Sequence, residues 1–286
     1  MKNILVPTDF SACANNAIEL GFAFAEFFDA KLYLFSCVDI PENWENLSKT
    51  EQDLKPESQA IFNNAKVLLQ KWVKKAERGG VDLVTIISGG NFLKELKKQV
   101  AETQTDFVVM GSHGASGKQE YFIGSNTQKA VRRLHIPVFV LKNPLKEYAF
   151  KKVVFASNFD VNEQKTFLRF LNFIKWFSPE KIHLLSINTA GWFIQPSLLM
   201  REAMEDFKKL AKDFECETHF YRDFSVDTGI RHFVEEIEAD LVVISNQNRS
   251  PLRRIFQGSN VEALVNHCPI PVLSLDFQKV LEEAVD

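Results

Sequence analysis

The sequence contains no apolar run of the roughly 20 residues that a membrane-spanning helix requires. It also lacks an excess of either charge, because 34 basic residues against 37 acidic residues give a formal charge of -3. A chain without a basic surplus has no general electrostatic attraction for nucleic acid or for an anionic membrane surface. We therefore predict neither partner, and we expect any bound anion to be held by local groups.

Cysteine is scarce, and no two of the four residues form a Cys-x-x-Cys pair. Cys13, Cys37, Cys216 and Cys268 are accordingly predicted to be reduced, mostly buried thiols. The six histidines show no paired spacing typical of metal ligands, so no metal site is defined.

The first three residues lead directly into a strand-like segment and leave no room for a signal peptide. We therefore expect a cytoplasmic protein.

Apolar residues are plentiful, at 45% of 286 residues, and 26 of them are Phe. A chain of this length and composition is typical of two globular domains with large cores. Most of the phenylalanines stand beside other apolar residues, which indicates a role in packing.

Strand-like and helix-like segments alternate along the first half of the chain. Such alternation predicts an α/β fold with a doubly wound parallel sheet and helices on both faces. The predicted strands are 4–8, 32–38, 83–87, 107–110 and 138–141, and the predicted helices are 11–28, 58–78, 92–102 and 125–134. The polar, Pro-containing stretch 41–57 is interpreted as a loop.

The second half repeats the order of the first. Residues 2–10 correspond to 151–159, a shift of 149, and residues 106–110 correspond to 240–244, a shift of 134. The second copy is therefore about fifteen residues shorter between its first strand and the later loop. This repeat predicts two similar domains, 1–143 and 150–279, joined by a short linker.

Three glycines surround the junction between the fourth predicted strand and the following helix. Gly111, Gly114 and Gly124 allow close approach of the backbone, and Gly124-Ser125-Asn126 opens the helix, where unpaired N–H groups favour phosphate. The pattern indicates an anion-binding loop. The alternative is a tight turn into a helix with no ligand.

This spacing resembles the nucleotide-binding signature of the universal stress protein family. Two residues separate Gly111 from Gly114, and nine residues separate Gly114 from Gly124-Ser125. With the internal repeat, the resemblance extends to a tandem pair of such domains. It implies two five-stranded sheets of order 3-2-1-4-5, paired around a pseudo-two-fold axis through their fifth strands, 138–141 and 272–275.

The resemblance also implies a ligand, ATP or a related adenine nucleotide, with or without Mg²⁺. The loop after the first strand would contact the nucleoside, Val38 would border adenine, and the fourth strand would end near the ribose, with the glycine-rich segment holding phosphates. The implied binding residues are Pro7, Thr8, Asp9, Val38, Met110, Gly111, Ser112, Gly114, Gly124, Ser125 and Asn126. Three of these have plain alternatives, because Asp9 or Ser125 could simply cap a helix and Val38 could belong only to the core.

The second half departs from the signature, although it keeps Gly258-Ser259. Ser245 replaces Gly111, Asn248 replaces Gly114, and Asn158 replaces Asp9. Side chains therefore stand where backbone was expected to approach the ligand, and we predict poor or lost nucleotide binding there.

No catalytic set emerges from the sequence, since the expected site offers few carboxylates and no evident general base. The sequence favours a stress-response regulator that binds an adenine nucleotide in its first domain and an unknown protein partner. A scaffold that binds no nucleotide and a weak ATPase remain the alternatives, and homodimer formation is left open.

Overall fold

The computed structural model describes residues 1–112, 124–145, 148–189, 197–245, 264 and 267–275. They form two compact units of helices and mainly parallel strands, which confirms the predicted α/β class. The first unit comprises Met1–Leu134 and Asn143–Leu145, and the second comprises His135–Lys142 and the described residues after Leu145.

The first unit contains a parallel sheet with strand order β3-β2-β1-β4. Its elements are β1 (Asn3–Pro7), α1 (Ala12–Phe28), β2 (Lys31–Val38), α2 (Lys49–Asp53), α3 (Pro56–Gly79), β3 (Leu83–Gly89), α4 (Phe92–Glu102), β4 (Phe107–Gly111) and α5 (Ser125–Arg133).

The second unit contains strands in the order β5-β10-β9-β6-β7-β8. Its described elements are β5 (Val138–Leu141), β6 (Lys152–Ala156), α6 (Gln164–Ile174), β7 (Lys181–Thr189), α7 (Ser197–Leu210), β8 (Cys216–Asp223), α8 (Val226–Glu236), β9 (Leu241–Ser245) and β10 (Val272–Leu275).

β5 belongs to the first repeat of the sequence but lies in the second unit, where it pairs antiparallel with β10. Phe139 is opposite Leu273 in this pairing. The expected meeting of 138–141 with 272–275 is thus confirmed. Pairing these strands removes two open edges that would otherwise be able to recruit another chain.

The central strands consist almost entirely of buried apolar residues, as expected of a parallel sheet covered on both faces. The strand ends are fixed by one carboxylate in each unit. Asp106 Oδ2 accepts bonds from the amides of Lys2 and Asn3 at 2.6 and 3.0 Å. Asp240 Oδ2 accepts the equivalent bonds from Lys151 and Lys152 at 2.9 and 2.8 Å.

The longest described helix, α3, has 24 residues and is amphipathic. Its buried residues, Ala65, Leu69, Trp72 and Ala76, recur at helical spacing and form one stripe against the core. No helix among the described residues is both long enough and apolar enough to cross a membrane.

The interpretation of residues 41–57 as a loop was wrong. The segment contains a 3₁₀ turn, Trp44–Asn46, and the short helix α2, and α3 already begins at Pro56. Ser48 and Glu51 form a capping box at the start of α2, and Trp44 is buried. The Ser-x-x-Glu pattern was the signal in the sequence for this helix start.

Phenylalanines pack the core of the second unit as predicted. The ring of Phe155 lies 4.9 Å from that of Phe167 and 5.1 Å from that of Phe170, and Phe207 lies 5.2 Å from Phe167. Such ring pairs add specific contact energy to the burial of apolar surface.

All four cysteines are free thiols, as predicted, with two buried and two partly exposed. Burial is the main cause that raises the pKa of Cys37 and Cys216 to about 11 and that of Cys268 to about 12.

Candidate functional site

The candidate site of the first unit lies at the carboxyl ends of β1 and β4. These strands are parallel neighbours, with Leu5 beside Val108, so the segments that follow them emerge at the same edge of the sheet. Pro7 and Met110 are buried in the last part of each strand and form the base of this edge. Ligands of open α/β sheets bind outside such carboxyl ends.

The loop after β1 is tightened by its own side chains. Thr8 Oγ1 accepts a bond from the Phe10 amide at 3.0 Å, and Phe10 has a left-handed backbone with φ of 64°. Asp9 Oδ1 accepts a bond from the Ser11 amide at 3.1 Å, while Ser11 Oγ caps α1 through the Ala14 amide at 3.2 Å. Ser11 is therefore the helix cap, and Asp9 holds the loop with an exposed side chain.

Gly111 closes β4 directly against α1. A Cβ atom at this position would lie 2.8 Å from both the carbonyl carbon and the carbonyl oxygen of Cys13. The close approach that the glycine permits is therefore an approach to the backbone of α1. Thr127 Oγ1 donates a 2.8 Å bond to the Gly111 carbonyl, which ties the end of β4 to the first turn of α5.

The start of α5 is held by backbone contact, and no side chain in the described part of the chain caps it. The Gly124 amide donates a 2.7 Å bond to the carbonyl of buried Ser112, and Gly124 itself is the N-cap residue. Ser125 and Asn126 are exposed, and the first turn has no acidic residue. A helix start of this kind presents N–H groups and a positive dipole end, which together favour an anion.

Val38 lies at the end of β2, paired with Gly89 of β3 and partly exposed. Its carbonyl accepts a 2.9 Å bond from the Ile40 amide. The predicted phosphate residue Gly114 lies outside the described residues.

The second unit reproduces the first loop closely. The Ser157 amide donates to the Leu185 carbonyl at 3.1 Å, as the Thr8 amide donates to the Phe35 carbonyl at 2.8 Å. Phe159 has φ of 54°, and its amide donates to Ser157 Oγ at 2.8 Å. The scaffold of the loop is thus common to both units.

A buried glutamate distinguishes the second unit. The Glu163 side chain is hydrogen-bonded to the hydroxyls of Ser157 and Ser245, so it bridges the ends of β6 and β9. Burial is the main cause that raises the pKa of this carboxyl. In the register of the repeat, Glu163 corresponds to Ala14 and Ser245 to Gly111. Sequence analysis missed this bridge, and the replacement of Ala14 by an acid was the available signal.

Of the predicted differences in the second domain, the structure describes only the one at Asn158. Asn158, which replaces Asp9, is exposed at the end of the β6 loop. Asn248 and Gly258-Ser259 lie outside the described residues.

Fold and site together define a duplicated α/β protein whose two units share one loop scaffold and differ at Gly111 and Ser245. A model of the universal stress protein family matches residues 1–142 and 150–275, which is nearly the whole chain. The chain therefore belongs to the universal stress protein family and contains two copies of its domain.

The chain is similar to several individual proteins. Universal stress protein MJ0531 from Methanocaldococcus jannaschii is 29% identical over 154 residues, which is 51% of this chain and 85% of the relative. A solved universal stress protein from Archaeoglobus fulgidus aligns with a TM-score of 0.74 over 96% of this chain and 98% of its own, at 20% identity, a likeness of fold. Another solved universal stress protein, at 15% identity and a TM-score of 0.38 over 45% of this chain and 98% of its own, was crystallised in complex with cAMP.

Proposed function

We propose that this protein binds ATP or a related adenine nucleotide, with or without Mg²⁺, in its first domain (residues 1–143). Occupancy of that domain would regulate a partner in a stress response. The second domain (residues 150–279) would serve as a structural or regulatory copy that does not bind nucleotide.

The bare amino end of α5 is the observation that supports phosphate binding in the first domain. Gly124 supplies no capping oxygen, the first turn has no carboxylate, and Ser125 and Asn126 are exposed. A phosphate group would meet the N–H groups that lack a side-chain cap and the positive end of the helix dipole.

The nucleoside end of the ligand is assigned by family resemblance, with support from position. Thr8-Asp9 and Gly111-Ser112 follow adjacent parallel strands, and Val38 follows the next strand along the sheet. In this arrangement Thr8 and Ser112 would use backbone groups, because Thr8 Oγ1 already accepts the Phe10 amide and Ser112 is buried.

Glu163 supports the absence of nucleotide from the second domain. Its carboxyl group occupies the space between Ser157 and Ser245 at the ends of β6 and β9. When ionised it would repel phosphate, and when protonated it would still fill the crevice.

A Gly124→Asp substitution tests the proposal with little risk to the fold. Gly124 has φ of -58° and ψ of 136°, which any residue adopts, and Asp is a favourable N-cap. The new carboxylate should cap α5 and repel phosphate, weakening ATP affinity at least ~10-fold, as measured by calorimetric titration.

Asn91→Asp is the matched control, because Asn91 is the N-cap of α4 and its Oδ1 already accepts the Lys94 amide. It adds the same charge at a different helix start and should leave ATP affinity unchanged. Equal affinity of the Gly124→Asp variant and the unmodified chain would contradict phosphate binding at α5.

Native mass spectrometry of protein purified without added nucleotide separates nucleotide binding from the scaffold alternative. A co-purified adenine nucleotide supports binding, whereas its absence together with an unchanged melting temperature in millimolar ATP, AMP and cAMP supports a scaffold.

Phosphate release by the unmodified chain, compared with Asp9→Ala, tests the weak ATPase alternative.

A further inference from the structure

Two histidines and a glutamate meet on one face of the sheet in the second unit, away from the carboxyl ends of the strands. β7 and β8 are parallel, with His183 beside Glu217 and Leu185 beside His219. Residues two apart on a strand project from the same face, so Glu217 and His219 share the face of their neighbour His183.

The three potential ligand atoms form a compact triangle. His183 Nδ1 lies 3.0 Å from His219 Nε2, and Glu217 Oε2 lies 3.9 Å from the first nitrogen and 3.7 Å from the second. A triangle with these sides has a point about 2.1 Å from all three corners, which matches zinc–nitrogen and zinc–oxygen bond lengths.

The surroundings hold the two imidazole rings in place and leave a path from solvent. Phe233 of α8 packs on both rings, with centroids 4.7 Å from His219 and 6.1 Å from His183. His183 is buried, whereas the side chains of His219 and Glu217 are 26% and 48% exposed. An ion could reach the triangle from the side of β8, the last strand in the order of this unit.

The charges around the triangle favour a cation. Lys181 Nζ contacts Glu217 Oε1 at 2.7 Å and Glu215 Oε1 at 2.8 Å. Lys152 and Glu236 also act on the histidines, so three carboxylates face two ammonium groups. Lys181 also orients the Glu217 carboxylate and leaves Oε2 toward the histidines.

We propose that His183, His219 and Glu217 bind a divalent transition-metal ion, with zinc as the best match. Two imidazole nitrogens and one carboxylate oxygen form a donor set that suits zinc, and water would complete the coordination of the ion. The site is independent of the nucleotide proposed for the first domain, because all three ligands belong to the second.

Cobalt(II) and zinc are the probes for the test, used with the full chain after treatment with a chelator. Titration with Co²⁺ should give saturable visible absorption at one ion per chain, and Zn²⁺ should displace it. Bound zinc should also raise the melting temperature, since a ligand of the folded state alone stabilises it.

His219→Gln and Glu217→Gln test the assigned ligands while avoiding the buried His183. Each should weaken metal affinity by more than ~10-fold, because even loss of a group that only orients a ligand costs 10–100-fold. His232→Asn is the matched control: His232 Nδ1 lies 2.7 Å from Asp223 Oδ2 in the same unit but outside the triangle. It should bind metal as the unmodified chain does.

Two results would overturn the site. One is the lack of saturable Co²⁺ or Zn²⁺ binding by the unmodified chain, which would leave the histidines as a hydrogen-bonded pair packed on Phe233. The other is equal metal affinity of the His219→Gln variant and the unmodified chain, with both folded by circular dichroism.

Discussion

The two crevices of this protein share a scaffold and differ in what occupies them. In the first unit, Gly111 at the end of β4 touches the backbone of α1 beside Ala14. In the second unit, Ser245 takes the place of Gly111 and bonds to Glu163, which takes the place of Ala14. One unit therefore closes the junction by backbone contact, and the other closes it with a buried carboxyl group.

This difference shows that two differences at touching positions can change how a strand end packs on a helix without changing the fold around it. The loops after β1 and β6 keep the same hydrogen bonds and the same left-handed residue, Phe10 or Phe159. The strand ends are held by equivalent carboxylates, Asp106 and Asp240. The two units thus share the contacts that define the fold and differ at the contact of Gly111 or Ser245 with the neighbouring helical segment.

Gly111→Ala should have the largest effect on the stability of the protein. The added Cβ would lie 2.8 Å from two backbone atoms of Cys13, which cannot rotate away, so β4 and α1 must separate. We expect a loss of about 1–3 kcal/mol in the free energy of unfolding, measured by urea denaturation.

Gly79→Ala is the control for this measurement. Its added Cβ would meet only Glu26 Oε1 at 3.5 Å, an ordinary contact, and Gly79 is the last residue of α3. Its stability should change little or increase. A loss at Gly111 no greater than that at Gly79 would mean that the junction tolerates a side chain.

Removal of the paired strand-end carboxylates should have the next largest effect. Asp106→Ala and Asp240→Ala each leave two strand amides without an acceptor, which should cost about 1–2 kcal/mol in the same denaturation experiment. The larger loss is expected for Asp240, because its bond to Lys152 is partly buried whereas both Asp106 bonds are exposed. A larger loss at Asp106 would reverse this ranking.

Glu163→Gln should have the smallest effect, a change in how the stability of the protein depends on pH. Burial raises the pKa of Glu163 above its ordinary value of 4.5, so the folded state holds this proton more tightly than the unfolded chain does. The resulting stabilisation is complete below about pH 4.5 and is lost as the pH rises through the folded-state pKa. Glutamine does not titrate. As the pH rises through the folded-state pKa of Glu163, the variant should therefore become more stable relative to the unmodified chain.

Thermal melts at pH 4.5, 5.5 and 7 measure this difference. The control is Glu180→Gln, a surface carboxylate that contacts Lys151 Nζ at 3.2 Å. A constant difference in melting temperature between the Glu163→Gln variant and the unmodified chain at all three pH values would rule out a shifted Glu163.

Much of the fold was predictable because each element carries a local signal. The predicted strand 138–141 and helix 92–102 match β5 and α4 residue for residue, and most other boundaries shift by one or two residues. The strand before the glycine-rich segment and the helix after it were also predicted, and both are present as β4 and α5. The binding roles assigned to Asp9, Gly124 and the other residues of the first domain stay predictions.

The features that were missed depend on contacts between distant residues. His183 and His219 are 36 positions apart and meet only because β7 and β8 pair in a particular register. Glu163 reaches Ser245 across two strand ends, which no local pattern indicates. Gly111 was assigned to ligand approach, whereas its contact with Cys13 became visible only once α1 was packed against β4.

The raised pKa values of three thiols have a consequence for how this protein responds to oxidants. With pKa values near 11 and 12, Cys37, Cys216 and Cys268 hold about one thiolate in ten thousand or fewer at neutral pH. Peroxide and other electrophiles react with the thiolate, so these three thiols should react slowly. A redox signal would therefore have to enter the protein by a route other than oxidation of these cysteines.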